Sequence, residues 1–230
     1  MQTQHTEKHL KSSQPLKDIV LGLSDGLTVP FALAAGLSGA IDSTHIVVIA
    51  GLAEIAAGGI SMGLGGYLAA KTEAEHYESE YKREVFEIKH LPQIETEETT
   101  NILRDFGVSE VHLPVVVEAI KSDTKKWVDF MMRFELGLEK PEGKRLFFSP
   151  LRIGLAYVFG GFIPLFPYFF LKPIHDALIS SIAVTLVALF IFGGFKGHFT
   201  SKNIFMSGLQ TTLIGGIASA AAFIIARVIS

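Results

Sequence analysis

The chain has 230 residues, of which 49% are hydrophobic, 19% are charged and none is cysteine. A net charge of only −3, without a stripe of Lys and Arg among aromatic residues, argues against nucleic-acid binding, and the lack of cysteine excludes disulfides and thiolate metal sites. The segment 71–145 holds 17 of the 23 acidic residues and 12 of the 20 Lys and Arg residues. An apolar chain interrupted by one acidic block is typical of a membrane protein.

Five apolar stretches are long enough to cross a lipid bilayer as helices, because about 20 residues span a hydrocarbon core of about 30 Å. They are predicted at residues 19–41, 46–70, 151–171, 177–195 and 204–226. Buried helices of a soluble domain are the alternative, but so short a chain has too little polar sequence to cover five of them. The polar residues 1–15 lack the apolar core of a signal peptide, so the first stretch is expected to direct insertion.

The sequence therefore predicts an all-α polytopic membrane protein in which a helical insertion separates the second and third spanning helices. We expect a tail at residues 1–15, two spanning helices at 16–70, the insertion at 71–149 and three spanning helices at 150–230. Lys and Arg residues near helix ends indicate the cytoplasmic side. One side carries Lys172 and Arg227, and the other carries Lys8, Lys11, Lys17, Lys71, Lys82, Arg83, Arg152, Lys196 and Lys202. The tail and the insertion are therefore predicted to be cytoplasmic, with the C-terminus on the opposite side.

The insertion is predicted to be helical. The second spanning helix should continue through residues 71–89, which contain no Gly or Pro, and end before Pro92. A short helix is expected from about Thr96 to Gly107, because glycine suits the left-handed position after a helix. A third helical segment is expected to extend up to Gly137.

Two carboxylates lie well inside the apolar stretches, where a charged group is costly and indicates function. Asp25 lies about 9 Å from the cytoplasmic end of the first helix, Met62 about 12 Å from the same side of the second, and Glu54 about 12 Å farther across. Pro30 has no N–H, so the carbonyl of Gly26 loses its helical partner beside Asp25. Carboxylate, carbonyl and thioether together favour a divalent transition metal over Mg²⁺ or Ca²⁺. The alternative is that Asp25 caps a kinked helix and Met62 fills space.

Candidate ligands recur at one-turn spacing in the acidic block, so that each pair shares a helix face. They are Glu84 with Glu87, Glu95 with Glu98, and Met132 with Glu135, together with Met131 and Glu118. A cluster of carboxylates with two thioethers predicts a site that collects transition metal at the cytoplasmic mouth. The alternative is an ordinary solvated surface that is rich in glutamate.

A di-iron enzyme is a second interpretation of the same block. Glu73 with His76, and Glu87 with His90, follow the Glu-x-x-His pattern of di-iron bundles. Both motifs fall on one predicted helix, whereas such bundles need them on different helices, so a membrane-anchored iron buffer or ferroxidase ranks below a transporter. The sequence has no Walker loop, so ATP is not the expected energy source, and we expect a transporter and no enzyme. A membrane carboxylate could instead exchange a proton for metal.

Small residues crowd the second predicted helix at positions 51, 53, 56–59, 61, 63, 65 and 66. Small side chains let helices approach closely in a membrane. Because five helices are few for enclosing a pathway, we expect a homodimer with the route near its two-fold axis.

Two strings in the first two helices resemble the vacuolar iron transporter family. They are Asp-Gly-Leu-Thr-Val-Pro-Phe-Ala-Leu-Ala-Ala-Gly-Leu at 25–37, and Ala-Glu at 53–54 followed by Gly-Ile-Ser-Met-Gly at 59–63. The resemblance extends from about Leu16 to the end and includes the acidic insertion. It implies a dimeric, proton-coupled exporter of ferrous iron, with Mn²⁺, Co²⁺, Ni²⁺ and Zn²⁺ as further cargo and no catalytic cofactor.

The resemblance also implies which residues bind metal. The pathway between the subunits would be lined by Asp25, Glu54 and Met62. A cytoplasmic metal-binding domain would use seven positions that carry the expected residue here, namely Glu84, Glu87, Glu95, Glu98, Met131, Met132 and Glu135. Since the tail carries no evident sorting signal, a vacuolar membrane and a bacterial cytoplasmic membrane are the two expected locations.

Overall fold

A computed structural model describes residues 14–200 and 203–229, which form eight α-helices. In chain order these are α1 (Gln14–Ala40), α2 (Thr44–His90), α3 (Pro92–Asp105), α4 (Leu113–Lys121), α5 (Thr124–Phe134), α6 (Arg145–Phe170), α7 (Ile174–Phe199) and α8 (Ile204–Ile229). The chain divides into two compact units. The apolar unit comprises the described residues up to Tyr67 and from Leu146 onwards, and the acidic unit comprises residues 68–145.

Five of the helices, α1, α2, α6, α7 and α8, are long and apolar enough to cross a membrane, which confirms the five predicted spanning helices. α1 already includes Gln14 and α6 begins at Arg145, several residues before the apolar stretches, because a helix can continue through polar residues that a hydropathy pattern does not count. The predicted tail up to residue 13, with Lys8 and Lys11, and the loop residue Lys202 lie outside the described residues.

Glycines bring the helices of the apolar unit into close contact. A Cβ atom at Gly26 of α1 would overlap the backbone of Tyr157 in α6. A Cβ atom at Gly154 of α6 would lie 2.9 Å from the carbonyl oxygen of Gly59 in α2. α6 therefore packs backbone to backbone against both α1 and α2, while α7 and α8 pack on α1 and on each other.

One face of α2 is exposed in the single chain. Ala53, Ala57, Ser61 and Gly65 follow one another at four-residue spacing, and all four are exposed. A Cβ atom at Gly65 would meet no other atom within 4 Å. We call these four residues the small-residue stripe, since they leave the backbone of α2 open to close approach.

The acidic unit begins with the continuation of α2, which runs without a break to His90, as predicted. α3 begins at Pro92 rather than at Thr96, because proline suits the first helical turn, where its missing N–H costs no hydrogen bond. Gly107 follows α3 with a φ of +85°, the left-handed conformation that its position predicts.

The third predicted segment of the acidic unit is two helices, α4 and α5, instead of one. The helix stops at Ser122, and Asp123 starts the next one by accepting hydrogen bonds from the backbone N–H groups of Lys125 at 3.0 Å and Lys126 at 3.3 Å. The break turns α5 into a separate helix whose apolar side closes the core of the unit. That core contains Ile88, Trp127, Val128, Met131 and Met132.

Candidate metal-binding sites

Glu54 in α2 is half-buried and is held by a residue of another spanning helix. The phenolic O–H of Tyr157 in α6 donates a hydrogen bond to Glu54 Oε1. The second oxygen, Oε2, is buried and has no hydrogen-bond partner among the described residues. One oxygen of Glu54 is therefore fixed in direction, while the other can accept a proton or a cation.

Asp25 in α1 lies half-buried beside the same tyrosine. Its neighbour Gly26 packs against the backbone of Tyr157, and Gly58 of α2 packs against the Tyr157 ring. α1 and α2 therefore meet α6 at one residue, and the helix positions of Asp25 and Glu54 both adjoin it. Met62 is half-buried two turns along α2 from Glu54 and on the same side of that helix.

Tyr157 is the residue of this region that sequence reasoning missed. It is one of five tyrosines, and nothing in its spacing relates it to Glu54. The usable signal is chemical, because a phenol inside a spanning helix must find a polar partner. The helices of the apolar unit contain few carboxylates that could accept a hydrogen bond from Tyr157. Glu54 is therefore one of the few partners to consider.

Within residues 14–200 and 203–229, no basic side chain pairs with Asp25 or Glu54. In the described parts of the apolar unit, one ion pair occurs, between Arg152 Nη1 and Asp18 Oδ2 at 3.6 Å. Asp18 is buried near the start of α1. Because it lies at a helix end, it was not among the membrane carboxylates predicted from the sequence. Among the residues that the structure describes, no cationic side chain balances the charge of these two candidate carboxylates.

Three glutamates converge in the acidic unit. Glu84 of α2, Glu95 of α3 and Glu135, which follows α5, bring one carboxylate oxygen each to within 4.8 Å of the others. Glu84 and Glu95 are only 1% and 3% exposed, whereas Glu135 is open to solvent. In the part of the chain that the structure describes, Glu84 Oε1 and Glu95 Oε2 are buried without a hydrogen-bond partner. We call these three residues the carboxylate triad.

The electrostatics of the carboxylate triad disfavour full ionisation. Burial, followed by the negative charges of Glu95 and Glu135, raises the pKa of Glu84 to about 8. Burial also raises the pKa values of Glu95 and Glu135. A hydrogen bond between the carboxyl groups of Glu84 and Glu95 contributes further to the raised pKa of Glu84. A divalent cation fits this site because it supplies the positive charge that the crowded, partly buried carboxylates lack.

Glu87 and Glu98 lie at the edge of the carboxylate triad. Both are half-buried, and the charges of both raise the pKa of Glu135. Glu87 also pairs with Arg83, with 3.6 Å between Nε and Oε2. These two glutamates are therefore near enough to add negative charge, although the closest grouping is formed by the other three.

Met131 and Met132 are 0% and 1% exposed and belong to the core of the acidic unit. Met131 lies one turn before Glu135 on α5, and its Sδ contacts the hydroxyl of Thr99 at 3.3 Å. The two thioethers thus lie in the apolar core of the acidic unit, within one turn of Glu135 along the chain. Their burial shows that both methionines have a packing role, so binding metal would be a role in addition to packing.

Several other candidates stand apart from the carboxylate triad. Glu118 in α4 pairs with Lys121 at 3.0 Å. Glu73 pairs with Arg145, and His90 Nδ1 bonds the carbonyl oxygen of Phe86 at 2.8 Å. In residues 14–200 and 203–229, no His belongs to a metal-sized cluster of three or more ligand residues. The two Glu-x-x-His motifs therefore do not assemble a di-iron site within the described chain.

Comparison with known proteins gives consistent matches over nearly the whole chain. A sequence profile of the VIT family matches residues 16–227. “Vacuolar iron transporter 1” of Arabidopsis thaliana is 55% identical over 225 residues, which cover 98% of this chain and 90% of that protein. “Vacuolar iron transporter 1” of Oryza sativa subsp. japonica is 52% identical over 225 residues, covering 98% and 89%. “Protein CCC1” of Saccharomyces cerevisiae is 38% identical over 223 residues, covering 93% and 69%.

Proposed function

This chain belongs to the VIT family, and on that basis we propose that it exports ferrous iron from the cytoplasm in exchange for protons. The chain is a multi-pass membrane protein, and its relatives are named as iron transporters and not as enzymes. The observation that carries the proposal is the state of Glu54. A carboxylate inside apolar helices, with one oxygen held by Tyr157 and the other free, can hold either a cation or a proton.

Metal first binds to the acidic unit in this proposal. The carboxylate triad supplies hard oxygen ligands, and Glu87 and Glu98 add negative charge at its edge. Met131 and Met132 add softer thioethers, which favour Fe²⁺ over Mg²⁺ and Ca²⁺. The same ligand set would accept Mn²⁺, Co²⁺, Ni²⁺ and Zn²⁺ as further cargo.

The ion then passes Asp25, Glu54 and Met62. Each carboxylate is charged while it holds metal and is neutralised by a proton after the metal has left, so that an uncompensated charge does not remain in the membrane. Protons moving down their gradient would thus drive metal in the opposite direction. Tyr157 contributes by orienting Glu54, because its hydrogen bond fixes one oxygen and directs the other.

A homodimer would complete the pathway. The small-residue stripe offers a face of α2 on which a second copy could pack closely. Glu54 and Met62 lie next to this stripe, each one residue further along α2 from Ala53 and Ser61. A two-fold axis along the stripe would therefore bring both copies of Glu54 and Met62 to the centre of the dimer.

The proposed orientation places the N-terminal tail and the acidic unit in the cytoplasm. The relatives are named vacuolar transporters, so we propose the vacuolar membrane as the location, with a bacterial cytoplasmic membrane as the second expectation. In either membrane the acidic unit would face the compartment from which iron is removed.

Purified protein in liposomes tests this function. We expect Fe²⁺ to enter the vesicles when an outward proton gradient is imposed, and the internal pH to rise as it does so. Asp25→Asn and Glu54→Gln should each abolish most of the uptake, since neither amide can exchange a proton for metal. Uptake that is indifferent to the pH gradient would refute proton exchange, and oxygen consumption on adding Fe²⁺ without uptake would indicate a ferroxidase.

A further inference from the structure

Thr99 of α3 is the meeting point of a buried contact between α3 and α5. Its Oγ1 lies 2.7 Å from the carbonyl oxygen of Glu95 and 3.3 Å from Met131 Sδ. It also accepts a hydrogen bond from Trp127 Nε1–H at 2.8 Å. Thr99 and Met131 are 0% exposed and Trp127 is 5% exposed. The carbonyl oxygen of Glu95, Met131 Sδ and Trp127 Nε1 therefore all contact this one buried hydroxyl.

The hydroxyl of Thr99 has one proton and two lone pairs to share among these three partners. Trp127 donates its N–H to one lone pair. The proton can be given either to Met131 Sδ or to the carbonyl oxygen of Glu95, but not to both at once. While the proton points to Met131 Sδ, the hydroxyl holds the sulfur in place, and the second lone pair of the sulfur stays available to a metal.

Ordinary helix formation does not account for this arrangement. Thr96 and Thr100 of α3 also bond the carbonyl four residues earlier, both at 2.6 Å, and this local bond is common for threonine in helices. Both of those residues are only half-buried. The contacts of Thr99 with Trp127 and Met131, by contrast, come from a different helix.

The contact lies directly beside the carboxylate triad. Thr99 is one turn after Glu95 on α3, and Met131 is one turn before Glu135 on α5. A methionine side chain has three rotatable bonds, so its sulfur has no fixed position unless another group holds it. Residues that orient a metal ligand typically change metal affinity by about 10- to 100-fold when they are removed.

We propose that Thr99, itself held by Trp127, is a positioning residue that fixes the sulfur of Met131 for metal binding and so gives the acidic unit its preference for softer over harder divalent ions. The inference rests on the proposed metal-collecting role of that unit. Thr99 does not touch the metal. It acts through Met131, whose thioether distinguishes Co²⁺ or Fe²⁺ from Mn²⁺ better than carboxylates do.

Metal titration of the purified full-length protein in detergent tests the proposal, with Co²⁺ and Mn²⁺ as the two probes. In Thr99→Val we expect the ratio of Co²⁺ to Mn²⁺ affinity to fall about tenfold, while Mn²⁺ affinity alone changes less than about twofold. Thr99→Ser keeps the hydroxyl and should restore the ratio. Thr100→Val, which loses only the local helix bond, is the matched control and should leave the ratio unchanged.

Two further variants separate positioning from packing. In a Met131→Leu background, Thr99→Val should cause no additional change in the ratio, because the two residues act through one contact. Trp127→Phe keeps Thr99 and Met131 and should lower the ratio in the same direction, which provides a test if Thr99→Val fails to fold. Equal losses for both metals, a Thr99→Ser protein that is not rescued, or an additive loss with Met131→Leu would each overturn the proposal.

Trp127 also provides a direct spectroscopic signal, because it is the only tryptophan in the chain. Its fluorescence in the intact protein should shift in Thr99→Val and on adding Co²⁺, but not in Thr100→Val. Glu84→Gln distinguishes the proposed metal-collecting role of the acidic unit from the proposed positioning role of Thr99. If Glu84→Gln leaves Co²⁺ binding intact, the metal-collecting role itself fails; if it abolishes binding while Thr99→Val has no effect, only the positioning role fails.

Discussion

The phenolic O–H of Tyr157 in α6 donates a hydrogen bond to Glu54 Oε1 in α2, between two apolar helices. Tyr157→Phe removes this donor but keeps the ring that packs against Gly58. We expect the variant to fold and its Fe²⁺ uptake to fall about tenfold, because a hydrogen bond to a charged group contributes about 1.5–3 kcal/mol. Initial rates of uptake into liposomes measure the effect.

Tyr168→Phe is the matched control for Tyr157→Phe. Tyr168 is another buried tyrosine of α6, but its hydroxyl bonds Ser38 Oγ at 2.9 Å and no carboxylate. Its loss should leave uptake within about twofold of the unaltered protein. Equal losses in the two variants would mean that the phenol of Tyr157 serves packing alone.

Gly65→Leu tests the proposed dimer through the small-residue stripe. Gly65 is exposed and a Cβ atom there would contact no other part of the described chain within 4 Å, so folding of the single chain should be unaffected. A leucine there would separate two copies of α2 that pack along the stripe. We expect most of the cross-linked dimer in membranes to disappear, whereas Ala221→Leu on the exposed side of α8 should leave it unchanged. A dimer that survives Gly65→Leu would place the interface elsewhere.

Proton release should accompany metal binding to the acidic unit. The pKa of Glu84 is raised to about 8 by burial and by the charges of Glu95 and Glu135, so its carboxyl is mostly protonated at neutral pH before metal arrives. We expect about one proton to leave as Fe²⁺ or Co²⁺ binds, and the apparent affinity to rise by up to about tenfold per pH unit until about pH 8.

Calorimetry in buffers with different enthalpies of ionisation measures that proton. Glu84→Gln should eliminate the released proton and weaken binding. Glu118→Gln alters a glutamate of the same unit that pairs with Lys121, so it should change neither quantity. Proton release that persists in Glu84→Gln would assign the proton to another group.

Without metal, the acidic unit should lose stability as the solution becomes more alkaline. The pKa of Glu84 in the folded chain, about 8, exceeds its ordinary value of 4.5, so the folded state binds more protons between these pH values. The contribution of Glu84 to the free energy of unfolding therefore decreases as pH rises from about 4.5 to about 8. Thermal melting of metal-free protein checks this.

Glu84→Gln is neutral at every pH and supplies the reference for that experiment. Its melting temperature relative to the unaltered chain should increase steadily from pH 4.5 to pH 8. A difference that does not depend on pH would show that Glu84 is not the titrating group.

The long helices could be predicted from sequence, while the helix boundaries within the acidic unit could not. Length and apolarity identify all five spanning helices, and the stretch without Gly or Pro predicts that α2 continues to His90. The predicted start of α3 at about Thr96 is wrong because Pro92 both ends α2 and suits the first turn of the next helix. The separate α5 was missed because apolar spacing continues past Asp123, whose capping role depends on its backbone conformation.

The candidate sites were predictable only in part for the same reason. One-turn spacing indicates that Glu84 and Glu87 share a face, but it cannot tell which of them turns toward Glu95. That choice depends on how α2, α3 and α5 pack, and the packing selects Glu84 and excludes Glu118. The Tyr157–Glu54 bond joins residues that are far apart in sequence, so no local pattern contains it.

The carboxylate triad also bears on how long each copy of the protein persists. A cation that binds the assembled triad stabilises the folded unit and not the opened one, so the empty unit opens more readily than the loaded one. Proteases act on the open form, and their rate of attack follows how often it is populated. We therefore expect copies in iron-starved cells to be degraded sooner than copies in iron-rich cells, so that the supply of cargo would set the abundance of its own carrier.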